Sequence, residues 1–319
     1  MKRRDFVQGS LGLTLVSAWK PLLAAEPYPG GPVKIIVAST PGTVMDASAR
    51  ICGKQLEPTW KQPVVVVNQA GAGGAIGTDQ VAKAKPDGLT LLVAHEGILC
   101  VQPLLAKQDR PRSDIRAVAP LVEIELLVVA NRDTGIRTMK ELIAEAKARP
   151  GKLTYASAGV GTPVHLRTEI LKQRAGIDIV HVPYKSVAAG MTDLVGGQVN
   201  VMLVGVSTAM PFMRDKLNVL ATCGPKRNPL LPEVPTLSET IPGLAFTTWF
   251  ALFAPAETPA ELVSFIARDF TSAIRSGPAA KALTDQGIIP TGGGPDDLEA
   301  IVQRDFNDYS KVIKSLNLT

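Results

Sequence analysis

At 319 residues, with 34 basic and 29 acidic side chains, the chain carries a formal net charge of +5 and is 45% hydrophobic. Residues 1–25 hold Lys2, Arg3, Arg4 and Lys20 against Asp5, so the remainder is near +2. That balance argues against a dedicated nucleic-acid or membrane surface. The remaining chain, about 290 residues, is long enough for two lobes with cores of their own.

The N-terminus reads as an address. Lys2-Arg3-Arg4-Asp5-Phe6-Val7 pairs two arginines with an aromatic, a modestly apolar run follows from Gly9 to Trp19, and Leu23-Ala24-Ala25 offers a cleavage site. The pattern resembles a twin-arginine export signal, with an ordinary secretory signal as the alternative. Either way the mature chain is expected in the periplasm. No later run of eighteen or more unbroken apolar residues follows, so no stable membrane insertion is expected. Cys52, Cys100 and Cys223 are odd in number and widely spaced, and each lies in or beside an apolar run. They read as small buried hydrophobes, and a Cys52–Cys100 bridge stays open.

Val33–Ala38 is β-branched and continuous, as in a buried strand, and Ser39–Thr43 turns into a helix over Asp46–Gln55. Val64–Asn68 is a second strand, Gln69–Gly77 a glycine-rich loop, and Asp79–Lys85 a helix stopped by Pro86-Asp87-Gly88. Leu89–Ala94 is a third strand, ending at His95-Glu96-Gly97. Three βα units in a row predict a parallel sheet flanked by helices.

The rhythm restarts near Val122. Ile124–Ala130 reads as a strand, Thr138–Ala148 as a helix, and Leu153–Ala156 as the end of another strand. Strands over Ile177–Pro183, Val199–Val204 and Leu217–Thr222 follow, with helices over Ala189–Leu194 and Thr208–Lys216 between them. Pro225–Gly243 holds five prolines and reads as a surface loop. Phe246–Pro255 returns to strand, and helices over Pro259–Ser276 and Asp296–Lys314 close the chain. The expected organisation is a signal peptide at 1–25, one lobe from 26–124 plus 250–319, and a second from 125–249. Two crossings, near Glu123–Val128 and Thr247–Leu252, are expected to form a hinge.

One stretch organises this reading. In Thr154–Glu169 a strand end meets Gly159 and Gly161, which tolerate positive φ, then Thr162 as an N-cap and Pro163 at the first helical position. Free N–H groups and the helix dipole converge there, with Ser157 and Thr162 adding hydroxyls: a site for an anion. His165, one turn into the helix, is expected to hydrogen-bond that loop rather than to catalyse. Only three histidines exist, at 95, 165 and 181, and none has zinc spacing. No nucleophile elbow or phosphate loop is present, so no catalytic, metal or cofactor site is expected. Gly71-Ala-Gly-Gly-Ala-Ile-Gly77 invites a dinucleotide reading, with Glu96 as the ribose acid. It lacks the third fingerprint glycine and an earlier βα unit precedes it, leaving an exported NAD(P)-dependent oxidoreductase as the alternative.

Eight motifs in register resemble the Bug-type periplasmic solute receptors of the tripartite tricarboxylate transporter family. They are Pro41-Gly42…Asp46…Arg50, Gly71–Gly77, Pro86–Leu92, Tyr155–Thr162…His165, Val180–Lys185, Thr192–Val199, Leu231–Thr236 and Trp249–Pro255. The resemblance implies an α/β, type 2-like Venus-flytrap protein that closes on a small organic carboxylate. It would deliver that ligand to the membrane subunits of the transporter, and a monomer is expected. It also implies ligand-binding loops from both lobes: Thr40, Pro41, Gly42, Thr43 and Asp46; Ala70, Gly71, Ala72 and Gly73; His95, Glu96 and Gly97. The second lobe contributes Ser157, Ala158, Gly159, Gly161, Thr162 and His165, with Val204 and Gly205 at a strand end. The chain departs from the family's pattern in having Glu96 where small hydroxyl residues are usual, and Val204 where Asp is frequent. A Glu96 facing the cleft would repel a second ligand carboxylate; a Glu96 paired with a base or turned to solvent would not.

Overall fold

The computed structural model describes residues 28–318; the signal-peptide expectation lies outside them. The elements run β1 (Val33–Val37), α1 (Val44–Trp60), β2 (Val64–Asn68), α2 (Ala75–Ala82), β3 (Thr90–His95), α3 (Gln102–Leu105) and β4 (Ile115–Asn131). Then come α4 (Met139–Ala148), β5 (Thr154–Ser157), α5 (Pro163–Ala175), β6 (Val180–Pro183), α6 (Val187–Val195), β7 (Val201–Gly205) and α7 (Val206–Ala209). The chain ends with β8 (Leu217–Thr222), α8 (Leu237–Thr240), β9 (Thr247–Pro255), α9 (Ala260–Arg275), α10 (Gly277–Thr284), β10 (Ile288–Pro290) and α11 (Pro295–Ser315). Its sheet order is β2-β1-β3-β9-β4-β7-β5-β6, with β10 and β8 also on β4.

β4 is the spine. Its residues from Ile115 to Glu125 pair antiparallel with β9, and those from Leu126 onward pair with β7 and β8. The expected strand over Ile124–Ala130 is therefore only its second part. Pro120 hid the first part, since proline lacks the N–H of a regular ladder; here it sits where the register slips, which accommodates it. On either side of the spine the sheets are parallel, β2-β1-β3 in one half and β6-β5-β7 in the other.

Alternation along each strand sends side chains to two faces. Val33, Ile35 and Val37 pack on Cys52 and Leu56 of α1 and on Ile266 and Phe270 of α9, while Ile36 faces Val81 of α2 and Tyr309 of α11. In the other half Leu126 and Val128 meet Met139 and Leu142 of α4, and Leu127 and Val129 meet Met191 and Leu194 of α6. All three cysteines are free and buried. Burial raises the Cys52 thiol well above its ordinary pKa, so it packs as an apolar group.

Helix α5 belongs to both halves. Leu166 lies in the same core as Ile36 and Tyr309, whereas Leu171 lies with Leu126 and Leu142. Between them Arg167, 2% exposed, reaches into the first core. Its Nη1 is 3.1 Å from Glu96 Oε1 and donates to Thr248 Oγ1 at 2.8 Å, and its Nη2 donates to Thr247 O at 2.5 Å. Asp305 of α11 lies 3.9 Å away, and the Phe246 and Tyr309 rings flank the guanidinium at 5.7 and 5.9 Å. Burial pushes the Glu96 carboxyl up to about 7, with Arg167 pulling against it.

A charge left alone in such a site is costly. Arg167→Met strands the Glu96 carboxylate, and breaking a buried pair this way costs about 3–5 kcal/mol. Urea unfolding should show that loss, and adding Glu96→Gln should restore more than half of it. A single variant within about 0.5 kcal/mol of the parent would show that the pair adds no net stability.

Candidate functional site

Four loops meet at the C-terminal ends of parallel strands, where open α/β sheets bind ligands. The first follows β1. Thr40, Pro41 and Gly42 are exposed, and Thr43 caps α1 by accepting from Asp46 N–H at 3.4 Å. Asp46 is buried and occupied: its Oδ2 accepts from Gly42 N–H at 3.0 Å and its Oδ1 lies 2.9 Å from Arg50 Nη2. Burial works against the carboxylate, but hydrogen bonds from Arg50, Gly42 and Asn68 and the Arg50 charge outweigh it, holding its pKa below the usual value. Asp46 thus shapes the loop and offsets the dipole of α1.

The second loop follows β2. Residues 71 to 74 all have positive φ, Ala72 included, and Ala70 to Gly73 are exposed. Gln102 Nε2, from α3, donates to Gly73 O at 2.8 Å. A Cβ on Gly73 would lie 2.5 Å from that nitrogen and displace the amide, and the φ of 63° favours glycine there. The dinucleotide alternative loses its setting, because this loop follows the edge strand of its half-sheet rather than a central one.

The third loop follows β3. His95 is half-buried, its Nδ1 accepts from Gly97 N–H at 3.0 Å, and burial together with the Arg167 charge pushes its pKa down to about 4. Glu96 is 0% exposed and faces Arg167, so it forms no wall of the cleft. The chain continues as a π-helical turn over Gly97–Val101 into α3.

The fourth loop, between β5 and α5, is the most elaborately supported. Ser157 is buried; its Oγ accepts from Gly159 N–H at 3.1 Å and sits 2.6 Å from His181 Nε2. Gly161 N–H donates to His165 Nδ1 at 3.1 Å, and Thr162 Oγ1 donates to Gly159 O at 2.8 Å while capping α5. Behind the loop Tyr155, His181 and His165 stack, with ring centroids 4.8 Å apart for the first pair and 4.2 Å for the second. The parallel register sets this stack, because Tyr155 of β5 lies opposite His181 of β6. Tyr155 Oη donates to Glu169 Oε1 at 2.6 Å, and Lys172 also binds that oxygen at 2.8 Å. Burial lowers both imidazole pKa values, and the neighbouring His165 helps push His181 to about 4.

The N–H groups of Gly159, Gly161 and Thr162 are thus spent inside the loop. Those of Ala158, Val160 and Val164 meet no acceptor among the described residues. No acidic side chain occupies the first turn of α5, in contrast to α1. That end of α5 is an electropositive, donor-bearing point built from neutral groups.

The loops are neighbours across the halves. A Cβ on Gly97 would lie 3.4 Å from Pro163 Cγ, and one on Gly161 would lie 3.1 Å from Leu105 Cδ1; within the first half, one on Gly74 would strike Ile98. Val204, in contrast, is buried with Leu127 and Met202 in a core, and Gly205 beside it is half-buried near Ile124. The sequence had not singled out Gln102, Arg167 or His181 for the site. For His181 a signal existed: strands β5 and β6 were both foreseen, and aligning them in parallel sets His181 beside Tyr155.

The sequence matches, over residues 48–318, the model of the family described as tripartite tricarboxylate transporter family receptor. It is 34% identical to a Pseudomonas sp. protein described as "UPF0065 protein in tcbD-tcbE intergenic region", over 99% of this chain and 95% of that one. It is 31% identical to protein BugT of Bordetella pertussis, over 92% and 91%. A solved structure described as a periplasmic transporter superposes with a TM-score of 0.74 at 32% identity, over 92% of this chain and 99% of that one. R. palustris Rpa4515, solved with adipate, superposes with a TM-score of 0.73 at 28% identity, over 90% and 97%. The fold is that of the two-lobed periplasmic binding proteins, and the chain belongs to the tripartite tricarboxylate transporter receptor family.

Proposed function

We infer that this protein is a periplasmic receptor that captures a small organic carboxylate between its halves and passes it to the membrane subunits of a tripartite transporter. The N-terminus of α5 carries the inference: three N–H groups without a partner among the described residues, no acid in the first turn, and a loop braced from behind by two neutral histidines. One carboxylate of the ligand sits against Ala158, Val160 and Val164. Its hydrocarbon part lies against Val160, Leu105 and Ile76, large apolar side chains left 60%, 38% and 48% exposed beside these loops. Because Glu96 is internal and paired with Arg167, the charge objection to a second ligand carboxylate falls away. A relative solved with adipate, a dicarboxylate, agrees with that.

A thermal-shift screen of carboxylates should yield a hit that, at a hundred times its dissociation constant, stabilises the fold by about 2.7 kcal/mol. Val160→Glu places a like charge at the proposed contact and should weaken that ligand at least tenfold while leaving the unliganded melting point unchanged. A library without a hit, or full affinity in Val160→Glu, overturns the reading.

The histidines give it a pH signature. Protonated His165 could no longer accept from Gly161 N–H, and a charged His181 would stand 4.2 Å from it; Glu169 and Lys172 are the other charges facing this stack. A histidine whose pKa is depressed in the folded state contributes stability that is complete above its unfolded value, near 6.5, and lost as pH falls. Melting temperatures should therefore hold above pH 6.5 and decline toward pH 4, less steeply in His181→Gln. An identical slope in that variant would remove His181 from the account.

Export by the twin-arginine route is the remaining part of the proposal, resting on Arg3-Arg4-x-Phe6. Lysine at both positions should leave uncleaved precursor in the cytoplasm; normal processing would leave general secretion instead.

A further inference from the structure

Away from the four loops, a cavity of about 310 Å³ opens between α5, the segment Gly243–Thr247 and α11. We propose that it binds a small aromatic or otherwise flat carboxylate as a second ligand, distinct from the one held at the N-terminus of α5. Its volume falls at the lower end of small-molecule sites.

Helical spacing builds its walls. Arg167, Ile170 and Arg174 recur at i, i+3 and i+7 on one face of α5, and Asp305, Tyr309 and Val312 do the same at i, i+4 and i+7 on α11. Four cations line the cavity, Arg167, Arg174, Arg304 and Lys311, against Asp305 and Asp308; with Arg167 matched by Glu96 behind it, one positive charge is left in excess. Both acids are engaged: Asp305 accepts from Trp249 Nε1 at 2.8 Å and from Arg304, and Asp308 lies 3.5 Å from Lys311. Arg174 spends Nη2 on the Pro242 carbonyl at 2.8 Å and pairs with no carboxylate among the described residues. It is therefore the rim charge with capacity for an anion. Phe246, Ile170 and the Tyr309 ring supply apolar walls, with the Arg167 guanidinium between the two aromatic rings. A flat anion satisfies both features, its ring among the aromatic walls and its carboxylate toward Arg174 and Arg304.

The position gives such a ligand leverage. α5 carries the anion loop at its other end and α11 packs on the first half-sheet, with the two helices joined by Gln173 Nε2 donating to Ser315 Oγ at 2.7 Å. A molecule wedged between them would bias how far the halves can turn.

Benzoate is the probe. Titration calorimetry on the wild-type mature protein should show benzoate binding that persists in Val160→Glu and weakens at least tenfold in Arg174→Gln/Arg304→Gln. Fluorescence of Trp249, bonded to the cavity-lining Asp305, should change in step with the heat. Absence of binding overturns the proposal. So does binding that survives the double neutralisation, or that disappears in Val160→Glu, which would assign benzoate to the α5 N-terminus instead. Failure here leaves the carboxylate reading of the main site standing, because that reading is tested by the library screen and Val160→Glu.

Discussion

A guanidinium inside a protein core is the constraint around which this structure is arranged. Arg167 cannot shed its charge, and taking an ion out of water costs several kcal/mol even after relaxation. The fold answers with a carboxylate from the β3 loop, a hydroxyl and a carbonyl from the start of β9, and two aromatic faces. These partners come from segments distant in sequence: the end of β3, the start of β9 and α11. The two halves are therefore not independent bodies joined by a strand. One helix contributes to both cores, and its buried Arg167 is held from the far side.

The same economy governs the candidate ligand site. The buried carboxylates near the loops are partnered within the protein: Asp46 by Arg50 and Gly42, Glu96 by Arg167, Glu169 by Lys172 and Tyr155. The histidines are held neutral by burial. What remains for a ligand is a field of backbone dipoles. Under the proposed function, such a field attracts an anion without a fixed counter-charge, leaves its shape to be judged by Ile76, Leu105 and Val160, and permits release once the halves part.

Where side-chain period and turn chemistry act locally, the sequence was legible. The continuous β-branched run of Val33 to Val37, the Gly–Thr–Pro entry to α5 and the apolar stripes of α9 and α11 all led to the elements observed. Long-range decisions were not legible. Leu99-Cys100-Val101 follows a strand without a cap or a breaker, and only packing under α11 makes it a π-turn. Helix α10 and strand β10 were overlooked because each is short and gains its burial from neighbours that were already assigned. Glu96 looked like a cleft residue because it ends a strand. That it turns inward depends on Arg167, 71 positions later, which no local pattern announces.

These facts together bear on how such a receptor could move under the proposed function. β4 is continuous through both halves and changes partners between Glu125 and Leu126, beside the start of β9. Any rotation of the halves passes through that point, and groups closest to an axis travel least. The Arg167 cluster binds Thr247 and Thr248 at the start of β9, so it lies close to this place. A buried ion pair tolerates little displacement, because its Coulomb attraction must keep offsetting a desolvation cost that does not diminish. Placed at the pivot, it could stay intact while the outer loops open. Placed at the rim, it would have to break and rehydrate in every cycle. Its location near the partner change of β4 is thus the one that reconciles a charged core with a moving cleft.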